Sequence, residues 1–85
     1  MARYSLEIRA SVEKDLRAIP QKDQIRILRR IEQLAEDPRP LGCKKLSGEE
    51  RYRVRQGSFR ILYEIQDTKL IVTVVKVGNR RDVYR

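Results

Sequence analysis

Between Arg51 and Val77 the chain alternates polar and apolar residues three times, in "RYRVRQ", "FRILYEIQ" and "KLIVTVVKV", with only Gly57-Ser58 and Asp67-Thr68 between the runs. Period two sends successive side chains to opposite faces of a strand, and a two-residue gap leaves room only for a hairpin. Gly57 suits the first position of a type II′ turn, whereas Asp-Thr is a weaker turn signal. Two-residue loops fix the registers: Gln56 opposite Phe59, Arg55 opposite Arg60, Val54 opposite Ile61 and Tyr52 opposite Tyr63, then Ile65 opposite Leu70, Tyr63 opposite Val72 and Ile61 opposite Val74. One face therefore collects Tyr52, Val54, Ile61, Tyr63, Ile65, Leu70, Val72 and Val74, and needs a cover. The other face holds Arg53, Arg55 and Arg60 around Leu62, Ile71, Thr73 and Val75.

The first half supplies the cover. "YSLEIR" alternates Tyr4, Leu6 and Ile8 against Ser5, Glu7 and Arg9, a half-buried strand. Ser11 offers an N-cap with Glu13 in the first turn, and Val12, Leu16 and Ile19 recur at helical spacing up to Pro20. From Gln21 to Glu36, Ile27, Ile31 and Leu34 with Leu28 and Ala35 mark a second apolar stripe, which "DPRP" ends. The short joint makes the helices a hairpin. "LGCKKLSGEE" reads as a loop. The expectation is an α+β fold over residues 1–85 as one domain: an N-terminal strand, a helical hairpin and a three-stranded antiparallel meander, with the two helices packed on one face of the sheet.

A chain of 85 residues has a marginal core that a partner could complete. Its 20 Lys and Arg against 12 Asp and Glu give +8, unevenly: residues 1–42 carry nine basic and seven acidic side chains, residues 43–85 eleven and five. That bias suits a polyanion, and equally a surface charge that keeps the protein dissolved. A single cysteine, Cys43, forbids an internal disulfide, and with no histidine no zinc site is plausible, so neither metal nor cofactor is expected. No leader or membrane-spanning stretch is visible, which points to a cytoplasmic protein with no membrane partner.

Arg55 across from Arg60 is a like-charge pair, unfavourable by up to about 1 kcal/mol unless an anion lies between them. Gly78 is expected to turn the tail back at that edge, bringing Arg80, Arg81 and Tyr84 towards Arg53, Arg55 and Arg60. The competing reading is a set of splayed, solvated arginines. Guanidinium forks match phosphate oxygens and stabilise charge growing on a transition state. RNA supplies its own nucleophile, the 2′-hydroxyl, so its cleavage needs orientation and charge stabilisation rather than a metal. Tyr84 could donate a proton to the leaving oxygen, or could pack the tail onto the sheet.

The hairpin "YRVRQGSFRILYEI", the strand "KLIVTVVKVGNRRDVY" and the preceding helix pair resemble the RelE/ParE superfamily of type II toxin–antitoxin toxins, on its RelE branch, over essentially the whole chain. The resemblance implies a metal-independent, ribosome-dependent endoribonuclease that cuts mRNA in the A site, leaves a 2′,3′-cyclic phosphate and inhibits translation. It also implies a cognate antitoxin that masks the site in a toxin–antitoxin hetero-oligomer. By position, Arg60 resembles the arginine that stabilises the transition state, Arg80 or Arg81 the arginine after the glycine, and Tyr84 the tyrosine at the scissile phosphate. Arg53 and Arg55, with Lys44 and Lys45, are the implied contacts to RNA or ribosome. Arg53 and Arg55 stand where well-studied members carry lysines, and arginine stays protonated, so their role is electrostatic rather than that of a general base. Asn79 stands where members often carry histidine. A ParE-like inhibitor of DNA gyrase without RNase activity shares the fold and is the alternative, and a purely structural RNA-binding protein is a third reading.

Overall fold

In the computed structural model, which describes residues 3–46 and 51–79, each alternating segment is a strand and each 3.6-periodic segment a helix. The order is β1 (Ser5–Ile8), α1 (Ala10–Arg17), α2 (Gln21–Glu36), β2 (Lys44–Lys45), β3 (Arg51–Gln56), β4 (Phe59–Gln66) and β5 (Ile71–Asn79). The strands form one sheet in the order β1-β5-β4-β3-β2, with β1 parallel to β5 and every other pair antiparallel. Both helices lie on one face. There Val12, Leu16, Ile19, Ile27, Ile31 and Leu34 pack onto Tyr52, Val54, Ile61, Tyr63, Ile65, Val72, Val74 and Val77.

The β3–β4 hairpin has the register expected from Gly57, which takes φ +60°. The β4–β5 hairpin does not. Gln66 pairs with Ile71, so the loop is four residues, Asp67 to Leu70, and Leu70 takes φ +55° and stays on the surface. A primed two-residue turn needs residues at ease with positive φ, and Asp-Thr offers none as permissive as glycine, so the loop widens. The slip is two residues: Tyr63 meets Val74 and Ile65 meets Val72, which keeps Val72 and Val74 on the core face. A bulge follows. Tyr63 pairs with Val74 but Leu62 with Lys76, leaving Val75 as an extra residue and making Val77 the next core side chain. Together these changes run β5 straight through Gly78, which pairs with Arg60 instead of turning the chain.

Three smaller expectations also change. α1 begins at Ala10 with Arg9 at its cap position, so Ser11 lies inside the first turn. Arg9 N–H donates to Val74 O at 3.3 Å, holding the chain on the sheet until the helix starts. Leu28 is 38% exposed, at the margin of the α2 stripe. The segment read as a loop contains β2, where Lys44 pairs with Arg53 and Lys45 with Tyr52. Two residues are too few to show a period.

A polar clamp closes one end of the sheet. Arg39 donates to Asp67 Oδ1 at 3.1 Å and Oδ2 at 2.9 Å, while Tyr4 Oη donates to Asp67 Oδ1 at 2.7 Å. The Arg39 guanidinium also lies 5.1 Å from the Tyr52 ring centroid, and Tyr52 stacks on Tyr63 at 5.9 Å. The Tyr63 hydroxyl donates to Pro38 O at 2.6 Å in the core, where burial holds its pKa above the ordinary value. Segments far apart in sequence are thereby fastened at the end of the sheet remote from Arg60.

Candidate functional site

The face of the sheet away from the helices sorts its charges along the strands. At one end a rung runs from Arg51 through Glu64 and Thr73 to Glu7, one residue from each of β3, β4, β5 and β1. Its carboxylates have partners: Arg51 Nε donates to Glu64 Oε2 at 3.1 Å, Arg9 lies 3.7 Å from Glu64, and the Thr73 hydroxyl donates to Glu7 at 3.4 Å. Beyond it Leu62 and Val75 bury a small apolar patch with Leu46. Arg53 stands beside that patch, directly across from Leu62, and Arg55 and Arg60 come one rung further along.

Two of these arginines are not splayed into solvent. Arg53 is 8% exposed and Arg60 7%, whereas Arg55 is exposed. The hairpin sets Arg55 directly opposite Arg60, and on the far side of Arg60 stands Gly78, which presents no side chain. Two hollows open here. One, of about 90 Å³, is lined by Arg55, Gly57, Ser58, Phe59 and Arg60 at the hairpin end. The other, of about 310 Å³, lies at the β2–β3 edge and is lined by Arg30, Gly42, Lys44, Arg53 and Arg55. Among the described residues neither is lined by a carboxylate. Withdrawing guanidinium groups from water beside one another is unfavourable, and an anion seated between them offsets that cost through charge-assisted hydrogen bonds.

The fold thus brings together Arg53, Arg55 and Arg60 as their strand positions require, and adds Lys44 through β2; Lys45 is the next, exposed residue of that strand. Arg80, Arg81 and Tyr84 lie outside the described residues. Arg30 was missed by sequence reasoning. It is three residues after Ile27 and four before Leu34, so it flanks the buried stripe of α2, a signal present in the spacing but indistinct without the sheet edge. Among the described residues no group of three His, Cys, Asp or Glu could hold a metal ion, and no helix is long and apolar enough to cross a membrane. The arrangement can bind an anion and stabilise negative charge. Among the side chains lining the two hollows it offers no proton acceptor of ordinary basicity.

Comparison with known proteins gives one answer from sequence and from structure. The family described as the ParE toxin of type II toxin–antitoxin systems matches residues 6–84. The chain is 32% identical to the candidate toxin RelE1 of Methanocaldococcus jannaschii, over 98% of this chain and 97% of the relative. It is 26% identical to toxin RelG of Mycobacterium tuberculosis, over 96% and 97% respectively. Among solved structures it is similar to the archaeal RelE–RelB complex of Pyrococcus horikoshii, with TM-score 0.83 and 26% identity over 98% of this chain and 100% of that one.

Proposed function

The chain belongs to the RelE/ParE family of toxins of type II toxin–antitoxin systems, and on that premise we propose that it is a metal-independent endoribonuclease that cleaves mRNA in the ribosomal A site. The observation that carries this reading is the cross-strand pair Arg55–Arg60 beside Arg53, with Arg53 and Arg60 buried and no described carboxylate lining their hollows. In the reaction the 2′-hydroxyl of the mRNA gives its proton to solvent water as it attacks the adjacent phosphorus, and the tyrosine that protonates the leaving oxygen is reprotonated from solvent. The bond to the 5′-oxygen of the next nucleotide breaks, leaving a 2′,3′-cyclic phosphate and a 5′-hydroxyl. Arg60, with Arg80 or Arg81, stabilises the charge that grows on the non-bridging oxygens, and Tyr84 delivers the proton to the leaving oxygen. Arg53 and Arg55, fixed in charge, hold the backbone, with Lys44 and Lys45 extending the contact. The ribosome supplies the orientation that so few proton-transfer groups leave to be supplied.

The partner is a cognate antitoxin, a reading supported by the similar RelE solved with RelB. An acidic or amphipathic segment suits the cationic face. The description of the matching family supports a second reading, a ParE-like inhibitor of DNA gyrase. One experiment separates them: induced expression with mapping of mRNA 5′ ends, beside a gyrase supercoiling assay on purified protein. New 5′ ends within coding frames with supercoiling unaffected support the RNase, and the converse pattern overturns it.

A further inference from the structure

The two hollows share a residue. Arg55 lines the hairpin hollow with Arg60 and also the β2–β3 edge hollow with Arg30, Lys44 and Arg53. The second hollow is the larger, about 310 Å³ against about 90 Å³, and draws its cations from three elements: α2, β2 and β3. Gly42 forms part of its wall with φ +91°, a conformation L residues rarely adopt, and no atom lies within 4 Å of where a Cβ would stand. That conformation lets the loop from α2 to β2 turn beside the hollow. Arg30 is half-buried, with Nη1 donating to Gln33 Oε1 at 3.3 Å, so its guanidinium is steadied by its own helix. Arg53 is nine-tenths buried.

We propose that the edge hollow is a second phosphate subsite, in which Arg30, Lys44 and Arg53 hold a backbone phosphate of the same RNA strand next to the one held between Arg55 and Arg60. This rests on the reading of the site as an RNA site and adds to it a residue from α2. The exposed Arg55 stands between the subsites and bridges the two phosphates, so the strand runs from the hairpin end across β3 towards α2. A phosphodiester fits better than a carboxylate-bearing peptide because the two hollows share Arg55 and every charged side chain among their described lining residues is a cation. Among their described lining residues only Phe59 is a large apolar side chain that could anchor a peptide, and it lies at the hairpin end.

The test measures binding of a fluorescent 12-nucleotide RNA with 2′-O-methyl sugars, which lacks the attacking hydroxyl, across a salt series. Arg30→Ala is expected to lower affinity about threefold to tenfold and to reduce the slope of log K against log salt by about 0.7, the signature of one lost phosphate contact on a single strand. Arg30→Lys is expected to restore the slope, and Arg26→Ala, on the same helix outside the hollow, to leave it unchanged. An Arg30→Ala slope equal to that of Arg26→Ala, with thermal unfolding showing both variants folded, overturns the subsite. So does absence of wild-type binding at low salt, or loss of binding to polyglutamate without loss to the RNA. Cleavage on programmed ribosomes by Arg60→Ala is measured in parallel. If the wild-type protein, assayed beside it, does not cleave, the RNase reading fails; if the wild type cleaves and Arg60→Ala is inactive while the Arg30→Ala slope is unchanged, the second subsite alone is wrong.

Discussion

Arg55 and Arg60 face each other with like charge across β3 and β4, and burial of Arg60 makes that repulsion harder for water to relieve. Arg60→Ala should therefore change unfolding stability by less than about 2 kcal/mol, because relief of repulsion offsets lost packing, while single-turnover cleavage on the ribosome is abolished. Chemical denaturation alongside the rate checks both halves. Arg60→Lys should not restore the rate, since an ammonium lacks the planar fork that engages two phosphate oxygens. A larger stability loss for Arg60→Ala would make Arg60 a structural residue. For Tyr84, proton delivery predicts that Tyr84→Phe slows cleavage by about 10²-fold or more with ribosome binding unchanged. A rate within about twofold of wild type would leave the chemistry to the arginines. Arg53, Arg55 and Arg60 were legible because their facing follows from period two and one well-specified turn. Arg30 was not, because its partners lie on β2 and β3.

The two hairpins show what sets register. Gly57 takes φ +60°, and the β3–β4 pairing follows from it; Asp67-Thr68 holds no glycine, and the β4–β5 loop grows to four residues with Leu70 at φ +55°. Gly57→Val should destabilise by about 1–2 kcal/mol, because a β-branched residue is strained at positive φ, and should lower activity by displacing Arg55 and Arg60 together. Leu70→Gly should do the reverse: relief of left-handed strain against a more flexible unfolded chain should leave stability unchanged or raised by up to about 1 kcal/mol, with activity intact. Thermal melts of the two variants side by side decide it. The bulge at Val75 had no sequence signal, since "VTVVKV" alternates well enough to pass for a regular strand. It reconciles the slipped loop with a core that needs Val74 and Val77 on one face, and places Gly78 rather than a bulky residue beside Arg60.

Across the whole molecule, the Arg39–Asp67–Tyr4 clamp ties the β4–β5 loop to the chain before β1 and to the segment after α2. Hydrogen bonds from Arg39 and then Tyr4 hold the Asp67 carboxyl at about 2, below its ordinary 3.8. A carboxyl depressed in the folded state adds stability that is fully present above its unfolded pKa and lost as pH falls through the folded value. The stability difference between wild type and Asp67→Asn should thus be flat from about pH 5 to 8, shrink below about pH 4, be mostly lost at about pH 2 and vanish near pH 1. Equilibrium unfolding at several pH values checks this, and a difference undiminished at pH 2 would assign the clamp to packing instead of charge. Because the clamp lies at the opposite end of the sheet from Arg60, Asp67→Asn should leave cleavage at neutral pH unchanged.

Local rules carried far in this chain: period two and period 3.6 specified β1, β3, β4, β5 and both helices, the buried face of most of their apolar residues though not of Leu28 or Leu70, and the shared face of Arg53, Arg55 and Arg60, because each depends only on near neighbours along the backbone. Tertiary structure decided the bulge, the passage of β5 through Gly78, the pairing of Lys44 with Arg53, and the entry of Arg30 into a cationic hollow. These are properties of segments meeting across the fold, set by which register lets both helices close on a continuous apolar face. A window of sequence, even one that holds both partners, does not say that they will meet.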